Sequence, residues 1–364
     1  RPRFITAAGN DSAALVGGLP RWRYNDILPQ SLIDRGQIFV RDVQLDFAPS
    51  PPRFGTIMVI SQGQGGRGFA ALDVSDPNAP QVLWDAPLLA PGARALAAPS
   101  IYQWPNPAGG DPIPALVVVG GALTPPPAGG PYFDFLDVHN LKTGALISRA
   151  TLPRPSGTQM RAWPNTPVCV DREGAGQMDR CFVLATDGTL ALVRVNATNG
   201  TFFPAANITP AGISGTFQSG MAAYFTANNQ VALVFGSGDL SRLERGGGPA
   251  NRVFKVISEG TGTATPVARF SNVCRPGAAL VDGSFPLAPG EMVISPPTVA
   301  KGTVAFSTYR PGATGCQDGQ SYVYAFDFET CRDVIAPPGT MTKPAAATAV
   351  GAGMPSSPVL LRRT

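Results

Sequence analysis

Histidine is almost missing from this sequence: His139 is the only one in 364 residues. So little imidazole leaves few means of building a Ser-His or Cys-His catalytic pair. No Gly-x-Ser-x-Gly nucleophile elbow accompanies His139, which falls in DVHNLKTG and reads as an exposed surface turn. Lysine is scarce too, present only at positions 142, 255, 301 and 343. Charged residues make up 14% of the chain and the net charge is +4, with basic residues scattered singly among acidic ones. No basic stripe suited to a phosphate backbone results, which argues against a nucleic-acid partner. No apolar run approaches the roughly 18 to 20 residues of a membrane-spanning helix, so no transmembrane segment is expected. The sequence opens on Arg1 without a signal-peptide pattern and reads as a mature form or an excised fragment. The five cysteines include no CxxC pair, against a zinc site. Helical periodicity is lacking in every window of a dozen residues, each candidate being broken by Gly or Pro.

What is abundant points one way. Glycine (42) and proline (38) together are nearly twice as frequent as in an average chain, so the polypeptide turns often. Hydrophobic residues still reach 44% and recur as short Val/Ile/Leu/Phe runs that can bury a core, against disorder. The expected class is all-β.

The runs repeat as a pattern: an apolar strand, a Gly-containing turn, then an aliphatic-aromatic strand closing on Asp. TIMVISQGQGG leads into RGFAALDVSDP and VLWDAP; ALVVVGGAL into PYFDFLDVHNLKTG and ALISRATL; GTVAFSTYRP into SYVYAFDFETC. Asp73, Asp137 and Asp327 end the shared strand and are expected to cap the following turn. CFVLATDGTLALVRV, and QVALVFGSGD followed by NRVFKVIS, read as further hairpins. AAPSIYQW, NTPVCVD, QSGMAAYF and ISPPTVA supply lead-in strands, whereas CRPGAALVDGSFPLAPGE is too sparse to assign. The organisation expected is a single β-propeller over 1–364, of six or seven blades. Its closing blade is built from both termini, about 1–25 and 354–364, which protects the sheet edges.

Five cysteines allow two disulfides in fifteen ways. Short loops favour Cys169 with Cys181 and Cys316 with Cys331, each joining neighbouring strands, and such bonds imply an oxidising compartment. Between the first two lies CVDREGAGQMDRC. There Asp171, Glu173 and Asp179 take positions one, three and nine of a calcium-loop spacing, with Gly176 at six. These carboxylates and the Gln177 carbonyl are candidate Ca²⁺ ligands, but Ala175 stands where a further ligand belongs and Phe182 where the bidentate Glu belongs. The alternative is a hairpin turn clipped by the disulfide without metal.

GQGGRGFAALDVSDPNAPQVLW, Gly63 to Trp84, resembles a stretch of the PilC/PilY family of type IV pilus tip and biogenesis proteins, where a Gly-rich turn leads to ALDVTDP and LW. GNDSAAL is similar to that family's GANDGMLHAF, VFGSGDLSRLERGGGPANRVFKV to its GTGD...NRFYAV, and MVISPPTVAKGTVAFSTY...SYVYAFDFETC to its SSPVVAGGVVYFTTY...GYLYALDALTG. The matches keep the family's order along most of the chain. The resemblance implies the C-terminal propeller of such a protein: a non-catalytic binding and assembly module, extracellular or at the cell surface. Its implied partners are minor or major pilins and a host or abiotic surface. It also implies that the Asp171 turn corresponds to a calcium-binding DxDxDGxxD turn linked to pilus extension and retraction, from which Ala175 departs. Two other readings stand beside it. One is a secreted propeller enzyme, quinone-dependent or hydrolytic, for which no vicinal cysteines and no regular tryptophan docking series among Trp22, Trp84, Trp104 and Trp163 speak. The other is a periplasmic scaffold propeller.

Overall fold

The structure is a computed structural model that describes residues 38–46, 53–63, 67–89, 93–95, 97–121, 134–153, 163–239, 250–259, 267–271, 273–274, 280–281, 283–300, 302–312, 318–327, 330, 334 and 348–352. The expected closing blade, 1–25 with 354–364, and the expected Cys316–Cys331 bond lie outside these residues. Every described element is a strand, and none is a helix long and apolar enough to cross a membrane. The chain divides into two compact units, Arg1–Val183 with Ala191–Asn207, and Leu184–Leu190 with Ile208–Thr364.

The first unit is a series of antiparallel meanders. β1 (Ile38–Asp46), β2 (Arg53–Ser61), β3 (Phe69–Asp73) and β4 (Gln81–Ala86) pair in chain order. The same holds for β5 (Ser100–Trp104), β6 (Ile113–Gly120), β7 (Phe135–Asn140) and β8 (Leu146–Thr151), and then for β9 (Val168–Val170), β10 (Arg180–Leu184), β11 (Leu190–Arg194) and β12 (Ala206–Asn207). Position in the sheet explains composition. Ala115 to Val119 of β6 are all buried, because a central strand covered on both faces carries a continuous apolar run. The edge strand β8 reads LISRAT and leaves Leu146 about half exposed. One face of the first sheet (Val43, Ile57, Val59, Phe69) shares a core with Ile101, Leu116, Val118 and Phe135 of the second.

Two indoles fix how successive sheets meet. Trp84 of β4 donates its Nε1–H to Leu141 O at 2.7 Å, in the turn after β7, and Trp104 of β5 donates to Gly200 O at 2.8 Å, in the turn after β11. The two receiving turns are alike. Asn140 Oδ1 accepts the N–H of Lys142, Asn196 Oδ1 that of Thr198, and Gly144 and Gly200 N–H close back on Asn140 O and Asn196 O. Gly200 has φ +68°, and a Cβ there would sit 2.5 Å from Pro105 O and 2.9 Å from the Trp104 ring, so glycine is required twice over. Thus two of the four tryptophans do dock on turns, although the sequence shows no docking series. Phe202 completes the Trp104 pocket, edge-on at 5.5 Å between ring centroids.

In the second unit β13 (Met221–Phe225), β14 (Val231–Gly236), β15 (Arg252–Glu259) and β16 (Val267–Phe270) form a further meander. The sparse segment that follows forms the small pair β17 (Val273–Cys274) and β18 (Leu280–Val281), and then β19 (Ser284–Pro286), which joins β15. The last sheet runs β20 (Met292–Val293), β22 (Thr303–Arg310), β23 (Gln320–Asp327) and β24 (Thr348–Ala352), with β21 (Thr298–Ala300) also on β22. All four lead-in segments of the sequence are strands: β5, β9, β13 and β21. Val234, Val253, Phe285, Val304, Phe306 and Phe326 belong to one core.

Replacing the fully buried Trp104 by alanine removes both packing and a hydrogen bond. A loss of roughly 3–5 kcal/mol is expected in urea unfolding, with Trp104→Phe recovering most of the packing. A Trp104→Ala loss below about 1 kcal/mol, within the range of an ordinary surface change, runs against the docking role.

Candidate functional site

The loop between β9 and β10 is the most chemically loaded stretch that the sequence singles out. Cys169 and Cys181 face each other in register, and a disulfide joins them with Cα atoms 4.0 Å apart. The Cys169 N–H donates to Tyr102 Oη at 3.1 Å. Tyr102 Oη in turn donates to Pro167 O at 3.2 Å, tying the base of the loop to β5.

Within the loop the carboxylates turn onto the backbone. Asp171 accepts the N–H groups of Ala175 (3.0 Å) and Gly176 (2.6 Å), and Asp179 accepts those of Arg172 (3.1 Å) and Glu173 (3.2 Å). Arg180 lies against Asp179, Nε to Oδ1 at 2.6 Å, and supplies positive charge where a cation would. Gln177 uses its amide N–H on Ala197 O at 3.3 Å, and the Glu173 residue is exposed. The four expected ligands, Asp171, Glu173, Gln177 and Asp179, are thus neighbours in one closed turn. Among the described residues no three acidic, histidine or cysteine side chains form a group that could hold a metal ion. A calcium ion takes six to eight oxygens facing one centre, and here the Asp171 and Asp179 carboxylates are engaged by loop N–H groups and by Arg180.

The strand-ending aspartates divide. Asp73 Oδ1 accepts Ser75 N–H at 3.0 Å and also the Ser75 hydroxyl, and Asp327 Oδ1 accepts Thr330 N–H at 2.7 Å, both capping turns. The Ser75 hydroxyl bond, more than the Arg53 charge, holds the Asp73 carboxyl below its ordinary value. Asp137 behaves differently. It is fully buried and lies mid-ladder, opposite Val118 on β6 and Arg149 on β8. Its two oxygens take a bidentate pair from Arg149, at 2.7 and 2.6 Å, and the guanidinium carbon stands 4.1 Å from the centre of the Phe135 ring. The Asp137 hydrogen bonds hold Arg149 above its ordinary value in spite of partial burial.

His139 also departs from the sequence expectation, being 2% exposed. β7 runs on to Asn140, so His139 is still in the ladder, paired with Leu116 and Leu146, and the turn starts one residue past the strand end. Period-two alternation from Phe135 through Asp137 puts it on the same face. Its Nδ1 lies 3.0 Å from Gly144 O, an acceptor, so Nδ1 carries the proton, while Nε2 stands 3.8 Å from Asp137 Oδ2. The signal for this cluster was present in FLDVHN as alternation, masked by reading the Asp as a strand end.

The second unit holds a comparable buried acid. Glu291 is 3% exposed and accepts hydrogen bonds from Ala288 N–H (3.1 Å), the Thr308 hydroxyl and Tyr324 Oη (2.7 Å). Burial, and then the Glu291 charge, push the Tyr324 phenol well above its usual value, so it remains a donor. Asn251 Nδ2 reaches Glu291 O at 2.9 Å, and Ser237 Oγ accepts Arg252 N–H at 2.8 Å, linking GSGD to NRVF. Both buried acids are thereby engaged by internal donors.

Three measurements follow from these bonds. Because the closed loop is 12 residues long, replacing both Cys169 and Cys181 by serine is expected to cost about 3 kcal/mol on the chain-entropy scale, read by urea unfolding. Melting in EGTA and in millimolar calcium is expected to coincide. An ion present at a hundredfold its dissociation constant adds about 2.7 kcal/mol, so a rise of several degrees on adding calcium overturns the closed-turn arrangement. Arg149→Met, which strands the Asp137 charge, is expected to cost roughly 3 kcal/mol, the low end for a broken buried pair because Arg149 is partly solvated. An unchanged unfolding midpoint contradicts it.

No protein-family model matches the chain, and no curated protein matches it either. Among solved structures it is similar to the C-terminal domain of PilY1 from Pseudomonas aeruginosa. The TM-score is 0.60 at 16% identity, covering 86% of this chain and 77% of that one. The all-β fold of antiparallel sheets is therefore shared with the PilY1 C-terminal domain.

Proposed function

We propose that this chain is a β-propeller acting as a non-catalytic binding and assembly module of a type IV pilus, supporting pilus biogenesis and surface adhesion. The observation that carries this is the shared fold over 86% of the chain, joined to the ordered motifs centred on Gly63 to Trp84. A rigid frame of docked sheets displaying long loops suits contact with minor or major pilins and with a host or abiotic surface. The Cys169–Cys181 bond, at the base of a hairpin whose tip is exposed, supports a place outside the cytoplasm, at the cell surface or pilus tip. The absence of a catalytic role is supported by how the buried ionisable groups are spent: Asp137 on Arg149, Glu291 on Tyr324 and Thr308. In this reading the Asp171–Asp179 turn contributes rigidity and no metal-dependent switch.

The test is genetic. Deleting the gene that encodes this chain is expected to reduce surface pili and twitching motility, both restored by the wild-type gene. Unchanged piliation and motility in the deletion strain contradict the proposal.

A further inference from the structure

The turn that receives Trp104 contains Asn199–Gly200, and an asparagine followed by glycine occurs nowhere else in the 364 residues. In such a pair the glycine nitrogen can attack the asparagine Cγ, because no side chain on the glycine obstructs the five-membered ring that forms. Here the attacking nitrogen and its target are both held. Gly200 donates its N–H to Asn196 O at 2.8 Å, and its own carbonyl accepts the Trp104 indole at 2.8 Å. Asn199 Oδ1 accepts the N–H and the hydroxyl of Thr201, at 3.1 and 2.8 Å. Gly200 is buried against Pro105 O and the Trp104 ring. The equivalent turn after β7, Asn140 to Gly144, has Thr143 in the place of Asn199 and so lacks this chemistry.

We propose that Asn199–Gly200 is a modification site kept closed by the docked Trp104, and that undocking lets the chain convert Asn199 to isoaspartate. The Gly200 nitrogen bonds to Asn199 Cγ, its proton and the Nδ2 amine leave together as ammonia, and a succinimide remains. Water then opens the ring at either carbonyl. Opening at the α-carbonyl of residue 199 leaves the main chain running through Cγ, longer by one methylene and carrying a new carboxylate. In the folded protein the rate follows the fraction of time that the turn is open. A lengthened turn no longer sets Gly200 O opposite the indole, and the new charge lies beside a fully buried ring. A transient opening between the sheets β5–β8 and β9–β12 is thereby made permanent. The inference concerns one junction of the first unit and does not depend on the pilus proposal.

The test ages the full chain at mildly alkaline pH as the wild type, Trp104→Phe and Asn199→Thr, with folding checked by circular dichroism, and ages the wild type in guanidinium chloride alongside. Isoaspartyl methyltransferase labelling and mass spectrometry of the peptide containing residue 199 read the product. The unfolded wild type is expected to form isoaspartate at least about tenfold faster than the folded one, as for a turn open a tenth of the time or less. Trp104→Phe keeps the packing and loses the donor, and several-fold faster formation than in the folded wild type is expected. Asn199→Thr, which copies the turn after β7, is expected to give no product at this position. Equal rates in folded and unfolded wild type overturn the proposal. So does a folded Trp104→Phe chain that reacts no faster than the folded wild type, or an unfolded wild type that forms no isoaspartate at Asn199.

Discussion

The first unit depends on two indole N–H groups. Apolar burial is non-directional, so by itself it specifies the register of one meander on the next less sharply than a hydrogen bond does. Trp84 and Trp104 remove that freedom by donating to carbonyls at Leu141 and Gly200. A directional bond at each junction converts non-directional burial into a fixed register between sheets. The Asn-headed turns that receive them are held by their own side chains and by glycines that permit the close approach, so donor and acceptor are both prepared before they meet.

Polar burial follows a similar logic. Two buried acids among the described residues are matched: Asp137, on an inner strand, by the fork of Arg149, and Glu291, just before β20, by hydroxyls and an amide. Each of these groups, once desolvated, tolerates few arrangements, so the interior gains specificity along with rigidity. In the proposed reading, loops and exposed edges are the parts offered to other molecules.

Much of the strand layout was legible in the sequence because central strands advertise themselves. ALVVVGG and VALVFG read as buried strands at once, and the lead-in segments around Ser100, Val168, Met221 and Thr298 were marked by Pro or polar residues before short β-formers. The Cys169–Cys181 pair was suggested by a loop too short for much else. Harder to read was anything set by the partner across a sheet. Asp137 and His139 look like turn residues in a linear reading, and only the extension of β7 to Asn140 puts them inside. Spacing alone likewise does not show that Asp171 and Asp179 accept from their own loop backbone and that Arg180 lies against Asp179. The docking of Trp84 and Trp104 was equally hidden, because each partner lies 57 or 96 residues away.

The central claim, that this fold is an assembly module for pilus components, is tested most directly by mixing the purified chain with purified minor and major pilins and measuring complex mass by size exclusion with light scattering. A stoichiometric complex with at least one pilin, lost when the pilin is denatured, is what the account predicts. Separate elution of the folded chain from every pilin at concentrations well above micromolar would contradict it.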